Sequence, residues 1–338
     1  MNIPTTRLGR TGLVVSRLAL GTMTFGLQTD ETVSQQILDK ATGAGINFLD
    51  TADVYPLGGT LETAGRTEEI IGRWLKKQGP GGRGNYIVAT KAVGKMGPHP
   101  WDQGASRKHL LAAIDASLKR LQTDYVDLYQ LHSDDRETPL DESLEALDVI
   151  VKSGRARYIG VSNFLAYRLA RALGRADLRG LSRYVCVQPR YSLLFREIER
   201  ELLPLCDEEE LGVIPYNPLA GGLLTGKYRA GADSRRDDNT RFTLGTAGGM
   251  YQDRYWNERS FATVSQLQAL AQEAGVPLAT LAVAWVMANP RITAPLLGAS
   301  RPEQLDDTLA AAGYKLEPAL KQRLDEITAD YRKGDAPR

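Results

Sequence analysis

Two cysteines in 338 residues leave no disulfide framework to hold this chain together. Cys186 stands in a strand-like run and Cys206 in a helix-like one. Their spacing from each other and from the three histidines offers no metal site. Both read as buried apolar residues of a protein from a reducing compartment, here the cytoplasm. An excess of charge of one sign is also missing. The net charge is +1, so no global field would draw in nucleic acid or an anionic membrane. No run approaches about 18 uninterrupted apolar residues, so no membrane span is expected. The N-terminus lacks the charged, apolar, small-residue succession of a signal peptide. A glycine-rich dinucleotide fingerprint after an early strand is absent as well. The nearest candidate, Gly79 to Gly84, comes before a strand and opens no helix, so it reads as a turn. That weighs against an open doubly wound sheet.

What is present is an alternation of strand-like and helix-like segments. Residues 5–16 read as a hairpin around Gly9-Arg10-Thr11-Gly12. Strand-like Leu18–Thr22 precedes a helix from Asp30, its cap, to Thr42. A strand to Asp50 leads to a helix near Thr67–Lys77, which opens with Glu68-Glu69. Strand 86–91 precedes helix 106–121, strand 126–132 precedes helix 140–152, and strand 158–162 precedes helix 166–173. Strand 185–188 leads to helix 199–210, and strand 213–216 to a long irregular stretch, 218–257. A helical pair near 259–274 and 278–288, a strand at 294–297, a helix at 302–311 and a helical tail at 317–332 complete the chain. About eight β-then-α units predict an α/β fold, a closed parallel (β/α)8 barrel of the TIM type behind an N-terminal hairpin. No linker divides residues 1–338, so one barrel domain is expected. The insertions 56–66 and 218–257 both follow strands, which would hang them over the mouth.

Four ionisable residues fall at or just past the ends of three successive apolar runs: Asp50 and Tyr55, Lys91, and His132. Buried strands should be apolar, and charges there are costly unless paired. In a parallel barrel that end of the strands collects catalytic groups. A phenol normally titrates near ~10, and an adjacent ammonium lowers that value. Lys91 is placed to be that ammonium, Asp50 its counter-charge, and His132 a partner that orients a carbonyl. The four make a proton donor for an oxygen becoming an alkoxide, and a nicotinamide would supply the hydride. Each residue also has an ordinary structural reading: a turn or cap for Asp50, core edge for Tyr55, snorkelling for Lys91, a structural imidazole for His132. The coincidence of all four at matching strand ends favours the functional reading.

The stretch Gly45-Ile46-Asn47-Phe48-Leu49-Asp50-Thr51-Ala52-Asp53-Val54-Tyr55 resembles the first signature of the aldo-keto reductases. Leu121–His132 and Tyr158–Phe164 resemble later motifs of that family, and the likeness keeps motif order from about residue 5 to about 312. The resemblance implies an NADPH-preferring reductase of aldehydes and ketones with the tetrad Asp50, Tyr55, Lys91 and His132. In it Tyr is the general acid, Lys tunes it, Asp pairs with Lys, and His orients the carbonyl. The resemblance also implies cofactor contacts. Ser162, Asn163 and Gln188 match the carboxamide contacts, and Tyr216 the aromatic that stacks on the nicotinamide. Asn217, Pro218, Leu219, Gly221, Gly222 and Lys227 match the pyrophosphate loop, with Arg241 a second phosphate candidate. Gly298, Ser300, Arg301 and Gln304 lead into a helix N-terminus suited to the adenosine 2′-phosphate, and Gly21 and Thr22 lie under the site. Two departures stand out. Pro56–Arg66 is longer than the family's turn, with Thr67-Glu68 where Ser-Glu is usual, and Asp307-Thr308 replaces the usual Glu-Asn at the adenine. The family's potassium-channel β-subunits keep tetrad and cofactor site while serving as partners, so a cofactor-sensing subunit is the rival reading. A small carbonyl compound is the expected partner, with the oligomeric state open.

Overall fold

The structure, a computed structural model, describes residues 3–229 and 240–332. Two short strands, β1 (Thr5–Arg7) and β2 (Val14–Ser16), pair antiparallel as the expected hairpin. Eight parallel strands follow in one sheet. They are β3 (Ala19–Gly21), β4 (Phe48–Asp50), β5 (Ile87–Ala92), β6 (Val126–Leu131), β7 (Ala156–Ser162), β8 (Tyr184–Gln188), β9 (Gly212–Val213) and β10 (Leu296–Gly298). The sheet runs β10-β3-β4-β5-β6-β7-β8-β9. Its two ends meet, because Thr293 N–H and Leu296 N–H donate to the carbonyls of Val213 and Pro215, each at 2.8 Å. The sheet is therefore closed into a (β/α)8 barrel.

Helices cover it outside: α1 (Glu31–Gly43), α2 (Arg66–Lys77), α3 (Arg107–Leu121), α4 (Leu140–Lys152), α5 (Ala166–Arg179) and α6 (Leu202–Glu208). The C-terminal part adds α7 (Gly245–Tyr255), α8 (Glu258–Glu273), α9 (Leu278–Met287), α10 (Leu305–Ala310) and α11 (Pro318–Ile327). Several starts are set by side-chain caps. Asp30 accepts from Val33 N–H, Ser106 from His109 N–H, and Asn257 from Ser260 N–H. No single helix among the described residues is long and apolar enough to cross a membrane.

Two apolar clusters divide the core. The larger fills the space between strands and helices. The smaller joins Phe48, Ala89, Leu128, Cys186, Ile214 and Leu296 with Leu8 and Val15 of the hairpin, and is the inside of the barrel plugged from its N-terminal end. Side chains two apart in a strand share a face. Asp50 thus stands above Phe48, Lys91 above Ala89, Gln130 above Leu128, Gln188 above Cys186 and Tyr216 above Ile214. The alternation that builds the plug also aims the polar residues into the mouth. Burial pushes both thiols, Cys186 and Cys206, well above the ordinary range.

Some boundaries differ from those expected. α5 continues to Arg179, since Leu169, Ala172, Leu173 and Ala176 keep an apolar stripe, and it stops at left-handed Gly180. α6 starts only at Leu202, after a separate turn at Glu197–Glu199. β9 is two residues long, because Pro215 has no N–H to extend the ladder. The stretch read as irregular holds a short helical turn, Ala220–Thr225, and the whole of α7. The signal missed there is aromatic. Tyr228, Phe242, Tyr251, Trp256 and Phe261 pack edge to face in one run of rings, with Tyr255 tilted against Tyr251. Gly231, Asp233, Ser234, Arg235, Arg236, Asp237, Asp238 and Asn239, singled out in the same stretch, lie outside the described residues. The insertion after Tyr55 reaches the same region, since a Cβ on Gly58 would come within 2.8 Å of the Leu244 side chain.

Candidate active site

A lysine with no exposed surface anchors the mouth of the barrel. Lys91, near the end of β5, donates to Asp50 Oδ2 at 2.6 Å and to the Thr51 carbonyl at 2.8 Å. Asp50 closes β4, and its other oxygen accepts from Gln188 Nε2 at 2.8 Å and Gln130 Nε2 at 3.2 Å. The pair is thus bonded on both sides, which a buried ion pair requires. Burial works against the Lys91 ammonium, but Asp50 and Tyr55 outweigh it and raise its pKa. Tyr55 lies across the mouth with its ring centroid 5.1 Å from Lys91 Nζ. The His132 ring meets it edge-on, 5.6 Å between centroids at 79°.

The phenol's acidity moves opposite to the expectation. Lys91 does pull the Tyr55 pKa down, but burial is the larger effect and the net shift is upward. Burial, followed by the Lys91 charge, lowers His132 to about 3, so its imidazole is neutral at any physiological pH. The arrangement is a protonated phenol flanked by a fixed cation and a neutral imidazole.

The remaining residues singled out in the sequence lie around this centre. Thr22 donates its hydroxyl to the Asp50 carbonyl at 2.9 Å, and Gly21 pairs with Asp50 in the ladder, so both support β4. Ser162 Oγ donates to the Gln188 carbonyl at 2.8 Å. Asn163, left-handed at φ 59°, donates to the His132 carbonyl at 2.9 Å and accepts from the Tyr216 hydroxyl at 2.9 Å. Gln188, expected as a third cofactor contact, spends its Nε2 on Asp50. Asn217 holds the next turn, accepting from Gly221 N–H at 2.6 Å and donating to Tyr255. Leu219 caps the turn's start, its carbonyl accepting from Gly222 N–H, and Pro218 is buried behind it. Lys227 is exposed over the Tyr228 ring. Ser300 N–H and Oγ both turn to Gln304 Oε1, and Arg301 pairs with Glu303 in the open. Gly298 ends β10 exposed.

A dinucleotide cofactor fits these residues. Gly221 and Gly222 have φ of 70° and 98°, and a Cβ at Gly221 would lie 2.7 Å from the Tyr251 ring, so only glycine keeps this turn's backbone open to a phosphate. Arg241 stands over the same ring, 5.5 Å away, with a buried Nη1 that has no partner among the described residues. An orphaned cationic donor across an aromatic ring from a glycine turn suits a phosphate oxygen.

Residues outside the sequence reading also shape the site. Gln130 was legible in principle, two residues before His132 on one strand face. Glu68, read as a helix-start charge, is fully buried and accepts from Thr90 Oγ1 at 2.5 Å and Arg120 Nε at 2.7 Å. Asp53, also fully buried, has no partner for either carboxylate oxygen among the described residues. Burial and the Glu68 charge push its pKa far up. No periodicity announces these contacts, because they join segments far apart in the chain.

A closed parallel barrel with a Lys–Asp pair, a phenol and an imidazole at its C-terminal mouth defines an oxidoreductase of the carbonyl-reducing class. The sequence profile described as the Aldo/keto reductase family matches residues 17–329, and the chain belongs to that family. It is 41% identical over 327 residues to the uncharacterized oxidoreductase YrpG of Bacillus subtilis (strain 168), covering 95% of each chain. It is 36% identical over 324 residues to a probable voltage-gated potassium channel subunit beta of Arabidopsis thaliana, again covering 95% of each. Versiconal hemiacetal acetate reductase of Aspergillus parasiticus is 32% identical over 343 residues, with 95% of each chain covered.

Proposed function

We propose that this chain, as one barrel domain in the cytoplasm, reduces aldehydes or ketones reversibly with NADPH, Tyr55 delivering the proton. The observation that carries the reading is the buried Lys91 ammonium, bonded to Asp50 and set beside the Tyr55 phenol. A bound nicotinamide supplies the hydride. Tyr55 protonates the oxygen as it becomes the alcohol, and its raised pKa keeps it protonated beforehand. Lys91 stabilises the phenolate left behind, Asp50 holds Lys91, and neutral His132 orients the carbonyl oxygen. Ser162, Asn163 and Gln188 would hold the carboxamide, Tyr216 the nicotinamide face. Gly221, Gly222, Lys227 and Arg241 would hold the pyrophosphate, and Ser300, Arg301 and Gln304 the 2′-phosphate. Ser300 and Gln304 must then exchange their mutual hydrogen bonds for phosphate ones.

Turnover of an aldehyde panel, followed by cofactor absorbance with NADPH and with NADH in parallel, tests the reading. Equal kcat/KM with both cofactors removes the NADPH assignment, and no turnover with either removes the reductase. A second reading, a cofactor-sensing subunit with residual activity, draws on the similarity to the potassium channel β-subunit. Recovery of a membrane partner in a pull-down, together with negligible turnover, would favour it.

A further inference from the structure

Besides Arg241, two guanidinium groups at the mouth have no counter-charge among the described residues. Arg190 stands two residues past Gln188, on the strand face that carries Gln188 to Asp50. The ladder continues there, since Arg190 bridges to Tyr216. Its guanidinium lies over Phe195, 3.5 Å from the ring centroid, and 5.9 Å from that of Tyr255. Arg254, the penultimate residue of α7, lies 5.9 Å from the Tyr251 centroid, and its charge acts on the Tyr216 hydroxyl. Both side chains are half-buried, and neither forms an ion pair among the described residues, where 25 such contacts occupy most of the other arginines. Half-buried cations without an acid are costly, and they recur where an anion is to be received.

Arg254 shares the Tyr251 ring with Arg241, but it differs from the phosphate contacts proposed above in its other neighbour. Arg241 faces the glycine turn, and Arg301 stands beyond β10. Arg190 and Arg254 instead flank Tyr216, the residue that reaches Asn163, and both act on Tyr216 electrostatically. Tyr216 stands at the mouth of the barrel and reaches Asn163, so the two cations border that mouth, and the aromatic rings beneath them hold the guanidinium groups in place.

We propose that Arg190 and Arg254 bind an anionic group on the substrate, a carboxylate or a phosphate ester carried by the aldehyde or ketone. This rests on the carbonyl-reductase reading. The two arginines would set specificity by fixing the far end of the substrate, leaving the proton transfer to Tyr55.

The test uses a matched series of para-substituted benzaldehydes carrying methyl, carboxylate or phosphate ester. Turnover of the methyl compound by the wild-type protein checks the reductase reading by itself. For the inference, the wild-type enzyme is expected to prefer at least one anionic aldehyde over the methyl one. In Arg190→Gln and Arg254→Gln that ratio of kcat/KM should fall ~10–100-fold, mostly through KM. The cofactor dissociation constant, read from fluorescence quenching, should move less than about threefold. Arg254→Lys keeps the charge and should retain part of the preference, which guards against a variant that merely folds poorly. Carboxylate or phosphate preference identifies the anion. A wild-type enzyme indifferent to charge, or variants with an unchanged ratio, would overturn the proposal. So would a weakened cofactor with the ratio intact, since the arginines would then belong to the pyrophosphate.

Discussion

An ammonium with no access to water keeps its charge only if other groups replace that water. Lys91 has Asp50, the Thr51 carbonyl and the neighbouring phenol for this, and Asp50 has two glutamine amides. Tyr55 is the acid placed beside that cation. Tyr55→Phe is expected to lower carbonyl reduction by about 10²–10⁴-fold while leaving cofactor affinity as it was. Near-native turnover would remove the proton-donor assignment. Arg301 is exposed and, among the described residues, paired only with Glu303. Arg301→Ala should raise the NADPH dissociation constant and leave that of NADH almost unchanged, and equal weakening of both would detach Arg301 from the 2′-phosphate. Asp53 gives a pH signature. Its folded pKa lies far above the ~3.9 of an unfolded aspartate. Below that value it is protonated in both states and contributes no pH dependence. As pH rises from there to the folded pKa, the unfolded chain releases a proton that the folded chain keeps, so stability falls. Asp53→Asn should remove this loss, so its urea midpoint gains on the wild-type one from about pH 4 upward. Parallel midpoints across that range would show that Asp53 is not held protonated.

At the scale of elements, the mouth is covered by two insertions that touch each other at Gly58 and Leu244. The described flanks of the longer one are anchored by aromatic rings, while its glycine turn carries an open backbone and Arg241 an unspent donor. Cofactor binding is expected to order this segment as a clamp, so hydrogen exchange across 218–229 and 240–257 should slow at saturating NADP⁺. Unchanged protection would rule the clamp out. Closure of this kind also slows release, so reopening of the clamp is expected to limit turnover. The elements were the most legible part of the sequence. Helices α1, α3 and α4 and strands β5 and β6 fall within a residue or two of expectation, because caps and uninterrupted apolar runs mark them locally. β9 and α7 were misread, since a proline shortens the first and scattered aromatics, not a helical stripe, hold the second.

For the whole molecule, the barrel depends on a seam that only the closed form contains. β9 is two residues long, and Thr293 joins it twice: its N–H donates to Val213, and its hydroxyl accepts from Val213 N–H at 3.0 Å. Thr293→Val keeps the shape and strands that buried N–H. It should cost ~1–3 kcal/mol and lower Tm by a few degrees in a thermal scan. An unchanged Tm would mean the seam is held elsewhere.

The sequence alone determined the repeating β-then-α order, the barrel it implies and the strand-end positions of Asp50, Tyr55, Lys91 and His132. Those features depend on local periodicity and on the cost of burying charge, both of which are written residue by residue. Only the tertiary structure decided that Gln130 and Gln188 complete the Asp50 shell, that burial outweighs Lys91 in setting the Tyr55 acidity, and that Asp53 is buried with no ion pair among the described residues. It also decided that Arg190 and Arg254 stand beside Tyr216 with no ion pair among the described residues. Desolvation and pairing are set by which distant segments meet, and closing the barrel brings residues as far as 275 positions apart into contact, as Thr24 and Ala299 are, a distance over which no local pattern carries information.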